Sequence, residues 1–226
     1  MISRLPHWVE TAAFVLALVA GYVNAVGLVG FDLQAVSHLS GSTNLLGVNV
    51  AQGSHETALY LFGVLLAFLV GAAWAGWLLH GTTLKRGHYD IALICSAVLL
   101  FAAMALFWHF DYPGIFLASA ACGLQNALAT TYSGAIVRTT HVTGIFTDLG
   151  IMLGSLVRGE PLNRRKAKIF LIIITGLICG GYAGTLLFGQ LRFDALAVPA
   201  IACLLMAAAY RFYRRYHNEL LEAAET

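Results

Sequence analysis

The sequence predicts an all-α polytopic membrane protein made of two inverted repeats, each with three transmembrane helices and one short re-entrant half-helix. Three observations support this prediction. Only 11% of the residues are charged and 59% are apolar, whereas a soluble domain has about 25% charged residues. Several apolar stretches are long enough to cross a bilayer. The two halves of the chain also share a set of ordered motifs.

Six apolar stretches approach the roughly 20 residues that a helix needs to cross the hydrocarbon core. They are residues 9–31, 57–80, 91–110, 114–133, 168–189 and 195–213. The first run is longer than the apolar core of a cleaved signal peptide, so we expect it to be retained as a span. The chain is therefore expected to form a single integral membrane domain over residues 1–226, with a cytoplasmic tail at 214–226.

An internal repeat relates the two halves of the chain, about residues 9–110 and about residues 111–213. Asn24 matches Asn126 in the first helix of each repeat, at an offset of 102 residues. Further on, residues 37–41 (Ser-His-Leu-Ser-Gly) match residues 140–144 (Thr-His-Val-Thr-Gly). Because the matches keep their order along the chain, they predict duplication of one ancestral unit.

Two short segments distinguish between topologies. Residues 41–53 and 144–158 are moderately apolar and too short for a full crossing, so each is expected to enter the membrane and return on the same side. This gives six spans and inverts the second repeat relative to the first. If both segments crossed instead, the chain would have eight spans and parallel repeats.

The basic residues favour the six-span topology, because cytoplasmic loops carry an excess of Lys and Arg. With the N-terminus in the cytoplasm, this topology leaves only Arg192 outside, of the 13 basic residues. The eight-span topology would also place Lys85, Arg86 and Arg138 outside. We therefore expect a multi-pass protein of the bacterial inner (cytoplasmic) membrane with both termini in the cytoplasm. The same charge pattern predicts no nucleic-acid surface.

The start of each half-helix is the predicted binding site, because its unpaired N–H groups and partial positive charge favour anions and strongly polar groups. Inverted repeats bring two such ends together near the bilayer midplane. Ser40, Ser42 or Thr43 in the first half-helix, and Thr143 in the second, are expected to cap these N–H groups. Capping alone is the alternative. The predicted solute-binding residues are Asn24, His38, Ser40, Gly41, Ser42, Asn126, His141, Thr143 and Gly144.

Three ionisable residues lie at the expected membrane depth, where such groups are functional candidates by default. His38 and His141 precede the half-helices, and an imidazole exchanges its proton near neutral pH. Asp148 has no acidic counterpart in the first repeat and is the candidate for coupling to a proton or cation. Three alternatives remain. In the first, each imidazole only fixes its loop. In the second, Asp148 pairs with Arg138 or with the helix dipole. In the third, all three residues bind a metal, although no known ligand spacing is present.

Several other residues are expected to have structural roles. Asn24 and Asn126 are expected to hydrogen-bond across helices or to pin the extended segments, and lining a pathway is the alternative. Gly176, Gly180 and Gly184 recur at every fourth position. This spacing predicts close packing between the two repeats, with a dimer face as the alternative. The four cysteines show no paired spacing and are expected to be small buried apolar residues.

These motifs resemble the YoaK family of bacterial membrane proteins (domain of unknown function 1275), and the resemblance spans nearly the whole chain. The residues that carry it are Gly21, Asn24, Ser37, His38, Ser40, Gly41, Gln125, Asn126, Thr139, Thr140, His141, Val142, Thr143 and Gly144. Ser40 stands where the family pattern more often has Thr. The resemblance implies a multi-span inner-membrane protein and brings no settled substrate.

Taken together, these features predict a small-solute transporter or permease with a polar, anion-binding midplane site and proton or cation coupling. A channel, an intramembrane metal-dependent enzyme using His38, His141 and Asp148, and a membrane protein without a transport role are the alternatives. We expect no enzymatic activity and no cofactor. The expected partners are the lipid bilayer and a small polar solute, with a homodimer as a further expectation.

Overall fold

The computed structural model describes residues 8–30, 36–79, 88–109, 113–133 and 139–225, with side chains described up to residue 215 except at 132 and 133. All regular structure in these ranges is helical. The helices are α1 (Trp8–Gly30), α2 (Leu39–Ala51), α3 (His55–Leu78), α4 (Tyr89–Phe107), α5 (Pro113–Ser133), α6 (Val142–Val157), α7 (Arg164–Leu191) and α8 (Ala197–Glu225). A short 3-10 segment, Arg192–Leu196, joins α7 to α8.

Four described stretches are long and apolar enough to cross a membrane: Trp8–Gly30, His55–Leu78, Tyr89–Phe107 and Arg164–Arg215. The last is 52 residues long and contains α7, the 3-10 segment and the first part of α8. α5 is not among the four, and its apolar run is interrupted by Gln125 and Asn126. The prediction of a helical membrane protein is therefore confirmed, while fewer separate spans meet this criterion than the six that were predicted.

The glycines of α7 pack directly on α1. A Cβ atom added at Gly180 would lie 2.0 Å from the Leu18 carbonyl oxygen, and one at Gly184 would lie 2.7 Å from that of Tyr22. Small residues at this spacing allow two backbones to touch. Packing between the two halves of the chain is therefore confirmed for this glycine stripe, and the alternative of a dimer face is wrong because α1 covers it.

An equivalent contact joins α3 to α5. A Cβ atom at Gly123 of α5 would lie 2.1 Å from the Phe68 carbonyl oxygen of α3, just as one at Gly21 of α1 would lie 2.3 Å from that of Leu177 of α7. Gly21 and Gly123 are 102 residues apart, the offset of the sequence repeat. The first helix of each half thus packs on the third helix of the other half.

α4 and α8 run antiparallel and are joined at both ends. At one end, Arg211 Nε donates to Asp90 Oδ2 at 2.6 Å. At the other, Trp108 Nε1 donates to Asp194 Oδ1 at 2.5 Å. Asp90 and Asp194 open matching helices of the two repeats, so the two contacts are equivalent.

The long-range contacts fix the direction of the remaining helices. Lys168 Nζ donates to Glu10 Oε2 at 2.6 Å near the starts of α7 and α1, whereas Gly30 at the end of α1 lies against Phe193 just after α7. α1 and α7 therefore run in the same direction, and α8 runs in the opposite direction.

Cys179 on α7 is exposed, while Cys122 and Cys203 are buried, so the prediction of buried cysteines is wrong for Cys179.

The short helices α2 and α6 begin inside the bundle. The Ser37 N–H donates to Asn24 Oδ1 at 2.9 Å, which places the chain just before α2 beside the last third of α1, six residues before its end. Thr139 and Thr140 lie correspondingly beside Asn126 of α5. α2 then runs to the start of α3, and α6 runs to the start of α7.

Candidate functional site

The first turns of α2 and α6 line one shared cavity of about 240 Å³. The two helices are far apart in sequence, and each contributes a histidine and the residues after it. The lining consists of Ser37, His38, Leu39, Ser40, Phe68, Asn126, Thr130, Thr140, His141, Val142 and Thr143. No acidic side chain is among these described residues, so the free helix ends set the electrostatic character of the cavity.

His38 and His141 are themselves the N-cap residues of α2 and α6. The carbonyl oxygen of His38 accepts from the N–H groups of Gly41 and Ser42, at 3.1 and 3.2 Å, and that of His141 accepts from Ile145 N–H at 3.2 Å. Neither imidazole makes a capping hydrogen bond. The N–H groups of the two residues that follow each histidine have no acceptor within the helix, so the uncapped ends leave donors for another group.

The predicted side-chain caps are wrong for both helices. α2 begins at Leu39, before the predicted segment at 41–53, so Ser40, Ser42 and Thr43 lie within its first turns. The Thr43 hydroxyl donates back to the Leu39 carbonyl at 2.8 Å. α6 likewise begins at Val142, so Thr143 lies inside that helix. A hydroxyl inside a helix bonds the carbonyl four residues earlier, so it is not available to the free N–H groups.

A glycine lies beneath each imidazole. A Cβ atom at Gly144 would lie 2.3 Å from Cδ2 and 2.5 Å from Nε2 of His141, and one at Gly41 would lie 3.0 Å from Cδ2 of His38. Any side chain at Gly144 would therefore displace the ring. This contact gives a physical reason for the His-x-x-Gly spacing that the two halves share: the glycine lets the imidazole lie over the first turn.

Asn24 and Asn126 hold the segments that lead to the two histidines. Asn24 accepts from the Ser37 N–H, thirteen positions later. Thr139 Oγ1 lies 3.5 Å and Thr140 Oγ1 lies 3.4 Å from Asn126 Oδ1. The two amides therefore play equivalent parts in the two halves, and Asn126 also lines the cavity.

The structure brings five of the predicted binding residues to the cavity wall: His38, Ser40, Asn126, His141 and Thr143. The others lie behind it. Asn24 reaches it only through Ser37, Gly41 and Gly144 support the imidazoles, and Ser42 is buried, 4% exposed.

Asp148 pairs with a residue that the sequence did not suggest. Its Oδ2 atom lies 2.9 Å from Nζ of Lys166 at the start of α7, and both side chains are partly exposed. Arg138, the predicted partner, lies outside the described residues. The pair joins α6 to α7, which is the helix against which α6 makes its main contacts. Among the described residues, no group of three His, Cys, Asp or Glu side chains is close enough to hold a metal ion.

Sequence reasoning missed Phe68, Thr130 and Ser119. Phe68 of α3 and Thr130 of α5 complete the cavity wall. The Ser119 hydroxyl is buried between the carbonyl oxygens of Val36 and Val64, at 3.1 and 2.9 Å, and links α5 to the chain before α2. Phenylalanine and small hydroxyl residues are both common within apolar helices, so no sequence signal marked these three.

Comparison with known proteins agrees with the helical membrane architecture. The profile of a family described as "Protein of unknown function (DUF1275)" matches residues 12–209. A UPF0700 transmembrane protein from Rhizobium meliloti (strain 1021) is 29% identical over 211 residues, which cover 92% of this chain and 89% of that protein. No solved structure matches the chain.

Proposed function

This chain belongs to the DUF1275 family of proteins of unknown function, and we propose that it is a small-solute transporter of the bacterial inner membrane. The observation that carries the proposal is the shared cavity of about 240 Å³ between the first turns of α2 and α6. The solute is bound there and moved without chemical change. The coarser statement, a helical membrane protein, is the premise for this proposal.

The proposed topology has six crossings and two half-helices that enter from opposite sides. The contacts of Asn24 with Ser37 and of Asn126 with Thr139 support it, because each short helix starts beside a residue within a long helix and not at the end of that helix. α2 leads to the side where α1 ends, and α6 leads to the side where α1 begins. Such broken helices at the interface of inverted repeats are the usual location of solute sites in secondary transporters.

The proposed solute is small, polar and anionic. Two helix N-termini directed at one cavity supply partial positive charge and N–H donors. His38 and His141 add donors that become cationic on protonation, and Ser40, Thr140 and Thr143 add hydroxyl groups. With both termini in the cytoplasm, as the distribution of basic residues favours, α2 leads from the cavity to the outer face and α6 leads to the cytoplasmic face.

A ligand-stability screen on purified protein tests this proposal. A stabilising anion at 100 times its Kd should raise the free energy of unfolding by about 2.7 kcal/mol. That effect should be lost in His38→Ala and in His141→Ala, and it should persist in His55→Ala, a matched control at the exposed start of α3. A stabilising effect that survives both cavity substitutions would show that the site is elsewhere.

Uptake into proteoliposomes distinguishes a transporter from a channel. The proposal predicts saturable uptake driven by an ion gradient, whereas conductance without coupling would indicate a channel. We further propose that Asp148 provides the coupling, through its pairing with Lys166. Asp148→Asn should abolish the dependence of uptake on the gradient but retain solute binding. Glu160→Gln, which removes a comparable exposed partner from Arg158, should change neither property.

A further inference from the structure

A second and larger cavity lies away from the histidines, among α1, α4, α5 and α8. Its volume is about 590 Å³, within the range of about 300–1,000 Å³ that is usual for ligand pockets. Its walls are almost wholly apolar and include Ala12, Leu16, Leu93, Leu128 and Met206. A polar solute would lose its hydration here without gaining hydrogen bonds. The walls therefore suit a hydrocarbon ligand.

The cavity has the depth of one bilayer leaflet. Along α1 it extends from Trp8 to Leu16, which is about 12 Å at 1.5 Å per residue. Half of a hydrocarbon core is about 15 Å. The cavity thus begins at the end of the bundle where α1 starts and stops near its middle.

Aromatic rings surround the end of the cavity that lies where α1 begins. The rings of Trp8 and Tyr213 lie 5.8 Å apart, and those of Tyr89 and Tyr210 lie 5.7 Å apart. All four residues line the cavity. Trp and Tyr collect where the hydrocarbon meets the headgroup layer. These rings therefore place this end of the cavity at the level of lipid headgroups.

Positive charge lies beside these rings. Arg211 is paired with Asp90, but no carboxylate among the described residues pairs with Arg214 or Arg215. Arg214 lies close enough to Tyr210 to act on it electrostatically. Basic residues just beyond the end of a transmembrane helix attract anionic lipid headgroups.

The cavity breaks the symmetry of the repeat. In the matching place on the other side of the bundle, Gly114 of α5 packs against α4, where an added Cβ atom would lie 2.7 Å from the Ala103 carbonyl oxygen. The residue of α1 that corresponds to Gly114, at the offset of 102, is Ala12. Ala12 lines the cavity, so the close contact that glycine permits between α5 and α4 has no equivalent between α1 and α8.

We propose that this cavity is a binding site for one anionic phospholipid, with an acyl chain between α1 and α8 and the phosphate at Arg214. The proposal depends on the membrane location of the protein and not on its transporting a solute.

Native mass spectrometry of the full chain in detergent tests this site, with phosphatidylglycerol and phosphatidylcholine of identical chains as probes. The wild-type protein should retain one phosphatidylglycerol in preference to phosphatidylcholine. Ala12→Phe and Ala209→Phe, which fill the cavity from two different helices, should each lower retention at least tenfold. Ala73→Phe, on the exposed face of α3, should have no effect.

Arg214→Gln should reduce the preference for phosphatidylglycerol about fivefold, and Arg192→Gln, at the opposite end of α8, should not. Glycerol 3-phosphate, which has the headgroup chemistry without acyl chains, should not be retained. Equal retention of the two lipids by the wild-type protein, unchanged retention in both cavity-filling variants, or retention of glycerol 3-phosphate would each overturn the proposal. Because none of these substitutions touches the histidine cavity, failure here leaves the transport proposal unaffected.

Discussion

At the scale of single residues, the proposed site depends on the contact between an imidazole and a glycine at the start of α2 and of α6. Gly144 lies under His141 and Gly41 under His38, and an asparagine contacts the residues just before each histidine. The contact is closer in the second half, where the added Cβ atom would come within 2.3 Å of the ring, than in the first, where it would come within 3.0 Å. The two helix starts therefore have the same arrangement, but a side chain at Gly144 would meet its histidine ring more closely than one at Gly41.

Gly144→Ala should displace the His141 ring and weaken solute binding, whereas Gly41→Ala should have a smaller effect because its neighbour needs to move only slightly. Gly150→Ala is the matched control, since nothing lies within 4 Å of that position on the same helix. Alanine favours helix over glycine by about 1 kcal/mol, so the control should keep or raise stability. Calorimetric titration with a solute from the stability screen measures all three. Equal affinities for Gly144→Ala and Gly150→Ala would contradict this account of the glycine.

At the scale of helices, two kinds of packing coexist. α1 and α7 touch along their backbones through Gly176, Gly180 and Gly184. By contrast, α6 contacts mainly α7, and Phe146, Ile151 and Val157 on it are exposed. The closely packed pair of α1 and α7 thus lies beside a short helix, α6, that has few contacts. The ion pair of Asp148 with Lys166 is a specific link between α6 and α7. A helix that moves needs few buried contacts of its own and closely packed helices beside it, and α6 and the α1–α7 pair meet these two conditions.

Gly180→Leu should be strongly destabilising, because its Cβ atom would meet the Leu18 carbonyl of α1 and neither backbone can yield. Overpacking costs about 1–3 kcal/mol where side chains can adjust, and a backbone contact should reach or exceed the top of that range. Gly189→Leu, on the same helix with open space around it, should change stability by much less. Unfolding in mixed micelles measures both. Similar unfolding midpoints for the two variants would show that α1 and α7 are not in close contact.

At the scale of the whole molecule, the two halves exchange their helices: α1 packs on α7, and α5 packs on α3. The contacts of Asp90 with Arg211 and of Asp194 with Trp108 repeat this relation at opposite ends of the bundle. Two departures from symmetry are concentrated in α6 and around α1 and α8. They are the carboxylate of Asp148 and the apolar cavity beside Ala12, which give the molecule two distinguishable sides.

Much of this architecture could be predicted from the sequence, because apolar length, small-residue spacing and paired motifs are local patterns. The repeated histidines drew attention to the residues that line the cavity, and the glycine stripe of α7 indicated close packing. The partners could not be predicted. Lys166 for Asp148, Lys168 for Glu10 and Trp108 for Asp194 come from other helices and depend on how the bundle closes. The helix starts were also misplaced, because the serines and threonines looked like caps and the histidines hold those positions instead.

Side-specific labelling tests the six-span topology. In a cysteine-free background, an impermeant maleimide applied to right-side-out vesicles should label His55→Cys and should not label Lys85→Cys. Both should react once the membrane is permeabilised. The reverse pattern would establish eight spans and parallel repeats, since each short segment would then cross fully.

Thiol cross-linking between the two histidine positions tests the central claim most directly. His38→Cys and His141→Cys are combined in a cysteine-free chain with a protease site inserted within residues 80–87. A short bifunctional thiol reagent is then applied to native membranes. We expect the cleaved halves to remain joined, because both residues line one cavity of about 240 Å³, and we expect no link in the control pair His55→Cys and Glu160→Cys. Separation of the halves although both cysteines react singly would contradict a shared site between α2 and α6.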